Sequence, residues 1–488
     1  MRTTTNRRQF LENAAGAALA IQLSGSLAWA ADDTLAELRK YADPLALAKN
    51  GSLPEAENAF FPLNAAAKLL TDEPAAESET EQYFRFDQPN AERDGPMAAW
   101  LDKNRRAIEL VDQAVQLDKL EFPGTAWQDD RFDCISTYRR LSRFLRLHAQ
   151  RLAGQGKLTA AVDASRTASS ALRLLSDGGG VCIEYVVASG FEMACWESNR
   201  HLAQLPNFDA NAVRRLLEGL PPQRDTFGGV RRALQAEFTY FMLPQLAKTV
   251  GAEVDQTLRI FIDWKEIPKA PLILSRQEYE ARCAKLMLLF AGHSNPYNVV
   301  DTVKRGSAKC VSDMHEMDLP WSKNQAHAPN PLAQELAAWP VELNLDSMGA
   351  SGDADKVTPA RLADARLKLS NVNNPIGKKS LISDFVDGLV MHRAALSKQA
   401  RYDGTRLFLA VRVYKLEHSE LPVNLEQLVT ERILDSLPLD PFSNRQFQYA
   451  REQKAIWSVG WGGKVAPGKA PDDIDGDDEC HLWQFDAA

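Results

Sequence analysis

Apolar residues recur at helical spacing along most of the chain. From Leu35 to Leu70 the pattern is helical but broken by Pro44, Pro54 and Pro62. The acidic stretch from Glu73 to Pro96 has little apolar periodicity and reads as a long surface loop. From Trp100 to about Phe122 a helical stripe returns through Ile108, Val111, Ala114 and Val115. A clearer unit follows. Leu141, Phe144, Leu145 and His148 mark one helix ending near Gly154-Gln155-Gly156. A second helix runs from Leu158 through Val162, Ala168 and Leu172 to Asp177-Gly178-Gly179-Gly180. Two amphipathic helices joined by a glycine-bearing turn make an αα-hairpin, and Ala160, Ala161, Ala164 and Ala168 would allow close approach. The unit resembles one tetratricopeptide-like hairpin, without a clean 34-residue repeat. Further helices are expected over 181–204, 210–220, 228–250 and 278–290, punctuated by Pro206 and Pro221-Pro222.

Asp318 to Ala360 is loop-rich, with five prolines and the run Gly349-Ala350-Ser351-Gly352, and is the best internal boundary. A long helix is expected from about Lys378 to His418, striped by Leu389, Leu396, Ala400, Leu407, Val411 and Tyr414 and weakened at Gly404. Leu421-Pro422 ends it, because proline lacks an amide hydrogen and restrains the residue before it. Asn424 can cap a short helix holding Leu425 and Leu428. Leu437-Pro438-Leu439-Asp440-Pro441-Phe442 then reads as a rigid turn, with Phe447, Tyr449, Ile456, Trp457 and Val459 in two short strands. The expected fold is mainly α: an irregular helical-hairpin bundle over 31–317, a loop-rich linker region over 318–377, and a small α+β module over 378–488.

This C-terminal order of elements resembles the C-terminal half of the type II secretion major (G-type) pseudopilin. That family shows a long helix, a tyrosine-rich exit ending in proline, a short leucine-bearing helix, an L-P-x-D-P turn with an aromatic, and a small antiparallel sheet closing with S-x-G. The resemblance covers about a fifth of the chain and implies a sheet packed on the end of the helix. The equivalent helix here is internal and preceded by more than 300 residues. The whole layout, helical body then pilin-like tail, also resembles a group of exported bacterial proteins for which no activity is implied.

The first thirty residues change the picture of where the chain goes. Asn6-Arg7-Arg8-Gln9-Phe10-Leu11 precedes a weakly apolar stretch and the small-x-small Ala28-Trp29-Ala30. This resembles a twin-arginine export signal cleaved after Ala30, with the periplasm or cell envelope as destination. An ordinary Sec signal or an uncleaved anchor is the alternative, although the stretch is short for a membrane span. The chain's net charge of −8 becomes −10 once Arg2, Arg7, Arg8 and Glu12 are removed, which weighs against nucleic acid as a partner. Past residue 31 no apolar run reaches spanning length, so no stable anchor is expected after cleavage.

Six cysteines are present, without CxxC spacing. Cys182 and Cys195 lie on one expected helix, too far apart for a bond. Cys283 with Cys310 is the best candidate bridge, and buried free thiols are the reading for most of the six. No GxSxG, SxxK, P-loop or GxGxxG-after-strand pattern occurs, so no catalytic residue is assigned. Asp472 to Glu479 places six acids in eight residues, and Gly476 does not sit in an EF-hand register. The G-type resemblance implies calcium near this position, with Asp473, Asp475 and Asp477 as ligands. A solvated acidic tail is the alternative. Asp313 to Asp318 with His293 lacks metal spacing and reads as a surface charge cluster. Trp457, Trp461 and Trp483 read as filling of a small β core, with a sugar-stacking platform as the alternative. The expected function is that of an exported cell-envelope binding or scaffold protein, acting on an envelope protein or polymer. An exported hydrolase with a dispersed site is the alternative.

Overall fold

The computed structural model describes residues 32–49, 53–71, 91–122, 131–220, 225–261, 276–321, 331–343, 354–383, 388–462 and 482–485, which are mainly helical with a small sheet region near the C-terminus. In chain order the helices are α1 (Asp32–Arg39), α2 (Phe60–Leu69), α3 (Ala91–Lys103), α4 (Arg105–Leu117), α5 (Arg131–Gly154), α6 (Leu158–Asp177), α7 (Cys182–Gln204), α8 (Ala210–Glu218) and α9 (Gly228–Ala236). A π-helical stretch, Glu237–Met242, leads into α10 (Leu243–Lys248), and α11 (Val254–Phe261), α12 (Arg276–Leu289) and α13 (Val299–Glu316) follow. Then come α14 (Pro331–Glu335), α15 (Pro359–Leu369), α16 (Pro375–Ser383), α17 (Gly388–His418) and α18 (Glu426–Thr430).

The α5–α6 hairpin forms as the periodicity predicts. Gly156 takes a left-handed conformation (φ 73°) and the Lys157 amide reaches back to the Leu152 carbonyl at 2.9 Å, closing α5. Ala161 and Ala168 are buried against the neighbouring helices, whereas Ala160 faces solvent.

Four expectations are corrected. The surface loop read up to Pro96 ends earlier, since α3 starts at Ala91 and runs through Pro96; residues 72–90 lie outside the described residues. The stripe from Trp100 to Phe122 is two helices. Asn104 breaks it, its side chain donating to the Trp100 carbonyl at 2.8 Å and accepting from the Thr71 amide at 3.1 Å in competition with the helical ladder. The candidate Cys283–Cys310 bridge is absent. Both thiols are buried and outside any disulfide, as are Cys182 and Cys195. In addition, the helix expected from Lys378 starts at Pro375, with α16 and α17 separated by residues 384–387, outside the described residues.

The stretch 318–377 supplies Trp321, Trp339, Leu343, Ala365, Leu369 and Ile376 to buried clusters. All but Trp321 join Phe238, Leu286 and Val303 in one core. A second core gathers Phe60, Trp100, Phe144 and Leu172. A third is shared by the two ends of the fold: Trp196, Phe208 and Leu216 from α7, the segment after it and α8 meet Phe408 and Val411 of α17, and Ile456 and Trp483 of the sheet.

The C-terminal end is built on α17. Ser419 ends the helix in left-handed backbone (φ 64°), its amide bonded to the Lys415 carbonyl. Asn424 accepts from the Gln427 amide at 3.3 Å at the start of α18, and Gln427 answers by accepting from Val423, a reciprocal cap. Strands β1 (Leu439–Asp440) and β2 (Arg445–Gln446) pair antiparallel, and β3 (Gln448–Ala450), β4 (Ala455–Trp457) and β5 (Leu482–Gln484) form a second antiparallel sheet in that order. Ile456 pairs with Tyr449 on one side and Trp483 on the other. The third strand, drawn from the tail, has no counterpart in the sequence reading.

Gly404 explains why α17 tolerates a glycine in mid-helix. A Cβ there would lie 2.1 Å from Cη2 of the Trp483 indole, so the glycine is the seat of the sheet's aromatic side chain. Helix propensity alone gives Gly404→Ala a gain of about 1 kcal/mol. Overpacking against a buried indole outweighs it, and a net loss of about 1–2 kcal/mol is expected in urea unfolding.

Candidate functional site

The described residues bring buried charge together most tightly where α17 crosses the α6–α7 hairpin. Lys398 stands on the buried stripe of α17 between Met391, Ala395 and Tyr402, and Glu192 on that of α7 between Ala188, Cys195 and Asn199. Their side chains are 6% and 1% exposed, and Lys398 Nζ lies 2.9 Å from Glu192 Oε2. Ser176, at the last turn of α6, completes the group. Lys398 Nζ donates to Ser176 Oγ at 2.8 Å, and Ser176 Oγ is 2.8 Å from the same Glu192 oxygen and 3.0 Å from the Arg173 carbonyl. Asp177 is 3.9 Å from the ammonium, which also faces the Tyr185 ring at 5.7 Å.

Two opposing effects set the charge state. Burial works against the Lys398 ammonium, but the Glu192 carboxylate, with Tyr185 and Asp177, outweighs it and holds the lysine above its ordinary range. Burial raises the Glu192 carboxyl, against the pull of Lys398 and Ser176. A serine within reach of a lysine is the geometry of a nucleophile and its base. Here, however, the lysine is protonated and donates to the hydroxyl, and the serine is 1% exposed. The chemistry supported is a clamp between three helices.

A polar ladder extends the clamp along the hairpin. Asn199 Nδ2 reaches Ser169 Oγ at 3.4 Å, Ser169 Oγ meets Cys195 Sγ at 3.4 Å, and Ser165 donates to Asn199 Oδ1. Gln150 of α5 donates to Ser198 at 3.1 Å, and Arg200 of α7 donates to Thr405 of α17 at 2.5 Å. Burial raises the Cys195 thiol to about 11, which keeps it protonated and inert at neutral pH.

The residues singled out from sequence fall elsewhere. Asp473, Asp475 and Asp477 lie outside the described residues, and among the described residues no group of three or more His, Cys, Asp or Glu side chains is arranged to hold a metal. The Asp313–Asp318 run is not the surface cluster expected: Asp313 is buried and pairs with Lys309 at 2.6 Å, whereas exposed Asp318 pairs with Arg231 of α9. His293 Nε2 lies 3.1 Å from both the Leu369 and Val372 carbonyls, and its Nδ1 accepts from the Asn295 amide. His392 is buried edge-on between Phe227 and Trp321, and His148 is half-buried, lowered chiefly by burial and next by Arg151. Trp457 and Trp483 are buried in the sheet core; Trp461 is half-buried beneath the Arg393 guanidinium at 5.0 Å, and its carbonyl accepts from Trp321 Nε1.

Sequence reasoning passed over Lys398, Glu192 and Ser176. The periodicity gave no signal for Lys398, which stands opposite the Leu389–Leu396–Ala400–Leu407 stripe, beside Met391, Ala395 and Tyr402 on a helix buried nearly all round. Which acid answers it, 206 positions earlier, is a tertiary fact.

No protein-family model matches the chain, and neither a curated protein nor a solved structure does.

Removing one member of the clamp leaves the other charged and buried. Lys398→Met is expected to cost about 3–5 kcal/mol in chemical unfolding, and Glu192→Leu with Lys398→Met together to recover most of that loss. The stability that Lys398 adds is complete below the ordinary lysine range and declines as pH rises beyond it, so the wild type loses this advantage only in strong alkali.

Proposed function

We propose that the chain is an exported cell-envelope binding or scaffold protein, with α17 and its sheet forming a pilin-subunit-like docking end carried on a helical body. The observation that carries this reading is the sequence of elements after Gly388: long helix, short capped helix, a turn at Asp440-Pro441, then antiparallel strands packed on the helix. It matches the order that the G-type pseudopilin resemblance implies. The paired, buried charges of the helix junction add support, since they fix a rigid body for a surface to act from. No helix among the described residues is long and apolar enough to cross a membrane, which is compatible with release after cleavage at Ala30. The partner is an envelope protein or polymer, met through the exposed side of the module, where Val423 and Leu439 stand out to solvent. Calcium bound by Asp473, Asp475 and Asp477, as the G-type resemblance implies, belongs to this reading.

Two measurements test this reading. Replacing the arginine pair (Arg7→Lys with Arg8→Lys) is expected to trap a full-length precursor in the cytoplasm, while the wild type appears in the periplasmic fraction beginning at Ala31. Unaltered export of the substituted chain would refute the route. For the metal, melting the mature protein with and without a chelator is expected to show a lower midpoint on chelation; coincident curves would remove structural calcium from the reading.

A further inference from the structure

The contact between α17 and the sheet contains a second buried charge arrangement, opposite in character to the clamp. Asp403 of α17 is 6% exposed and Asp440 of β1 is fully buried. Asp440 is well supported: its carboxylate accepts from the Phe442 amide and the Ser458 hydroxyl at 3.0 Å each and from the Val459 amide at 2.8 Å. Asp403 is not. Its carboxylate accepts from the uncharged Gln399 amide at 2.6 Å, and Gln399 is itself held by Thr226 at 2.9 Å. The cation acting on it is Arg406, one-third exposed and at 4.0 Å, against 2.9 Å for the Lys398–Glu192 pair.

Among the described residues, the surroundings bring no stronger counter-charge. On the sheet side, Phe442 and Val459, whose amides Asp440 holds, join Leu396 and Ala400 of α17 in one cluster, one turn before Asp403. Strands β4 (Ala455–Trp457) and β5 (Leu482–Gln484), which also pack on α17, carry no charged residue. Arg200 of α7, with Glu197 and Arg401 as its charged neighbours, is engaged with Thr405. Thr226 is the contact from the segment before α9, and Asp225 beside it holds the Phe227 amide. Among the described residues, seating the sheet on α17 therefore buries two carboxylates together with a single distant guanidinium, beside the Gly404–Trp483 contact.

We propose that this junction is an acid-tightened latch: mild acid seats the C-terminal sheet firmly on α17, and rising pH loosens it by charging Asp403 in a buried site that offers no close cation. Burial, reinforced by Asp440 and opposed by Gln399 and Arg406, raises the Asp403 carboxyl to about 6. When the sheet lifts, Asp403 returns to water and to the ordinary carboxylate range near 4. The seated state thus binds the proton more tightly. Its stability is complete below that ordinary range and is lost as pH rises through about 6. The value of such a latch to the cell rests on the exported reading, because an envelope compartment follows outside pH; the latch itself does not depend on it.

Hydrogen exchange of the purified mature chain tests the latch independently of export. After correction for intrinsic rates, protection of the β3–β5 amides is expected to be about tenfold greater at about pH 5 than at about pH 7.5, with the α5–α6 hairpin showing a much smaller change. Asp403→Asn is expected to hold the higher protection at both pH values. Equal wild-type protection at the two pH values, or a full pH response surviving in Asp403→Asn, overturns the proposal. Should that variant fail to fold, carboxyl-carbon NMR of the wild type decides the matter. A midpoint for Asp403 near 6 that moves together with the sheet resonances supports the latch, and a midpoint near 4 overturns it.

Discussion

An ammonium group buried between three helices has to keep its carboxylate, and much of this structure is arranged so that it does. Lys398 could be accommodated at that depth only where Glu192 and Ser176 arrive together, which fixes the height of α17 against the hairpin and the rotation of α7 about its axis. Once α17 is set, its other sides are committed. Leu407, Phe408 and Val411 complete the core with Trp196 and Leu216, and Gly404 presents the flat site on which the Trp483 indole rests. The helix is apolar or paired nearly all round because it serves as the common wall of the body and the sheet.

The two charged contacts on this helix illustrate how burial decides the meaning of a carboxylate. Glu192 meets a cation at hydrogen-bond distance and becomes a structural tie. Asp403, five residues along from Lys398, meets an amide, a distant guanidinium and another acid, and becomes sensitive to protons. Neither depends on how acidic the residue is in water. The difference lies in what the neighbouring element supplies: α7 brings a matched charge, whereas β1 brings Asp440, already satisfied by three donors of its own turn.

Periodicity made the helices legible, and turn chemistry made the C-terminal order legible. Gly156, Leu421-Pro422 and Asp440-Pro441 each force a local geometry that few other residues could adopt, so reading them did not need the fold. Asn104 was harder, because its helix-breaking contacts run partly to Thr71, outside its own helix. The loop-rich composition of 318–377 concealed residues such as Trp339 and Ile376 that pack into the central core, since prolines report on backbone freedom and not on burial. The thiols show the same limit: the sequence could propose Cys283 with Cys310, but only the structure shows them buried in one core without a bond between them. For the candidate site, neither half of the clamp was legible: Lys398 lies opposite the apolar stripe that the sequence displays, and its partner stands 206 positions away.

The central claim is that α17 is the shared interior wall of the molecule, enclosed by α7 and α8 on one side and by the sheet on the other. Residue-resolved hydrogen exchange under native conditions tests it most directly. Amides from about Lys398 to Val411 should be among the last in the chain to exchange, at least as protected as those of the α5–α6 hairpin. Exchange of this segment well ahead of the hairpin would mean that the helix is peripheral, and the account built on it would be wrong.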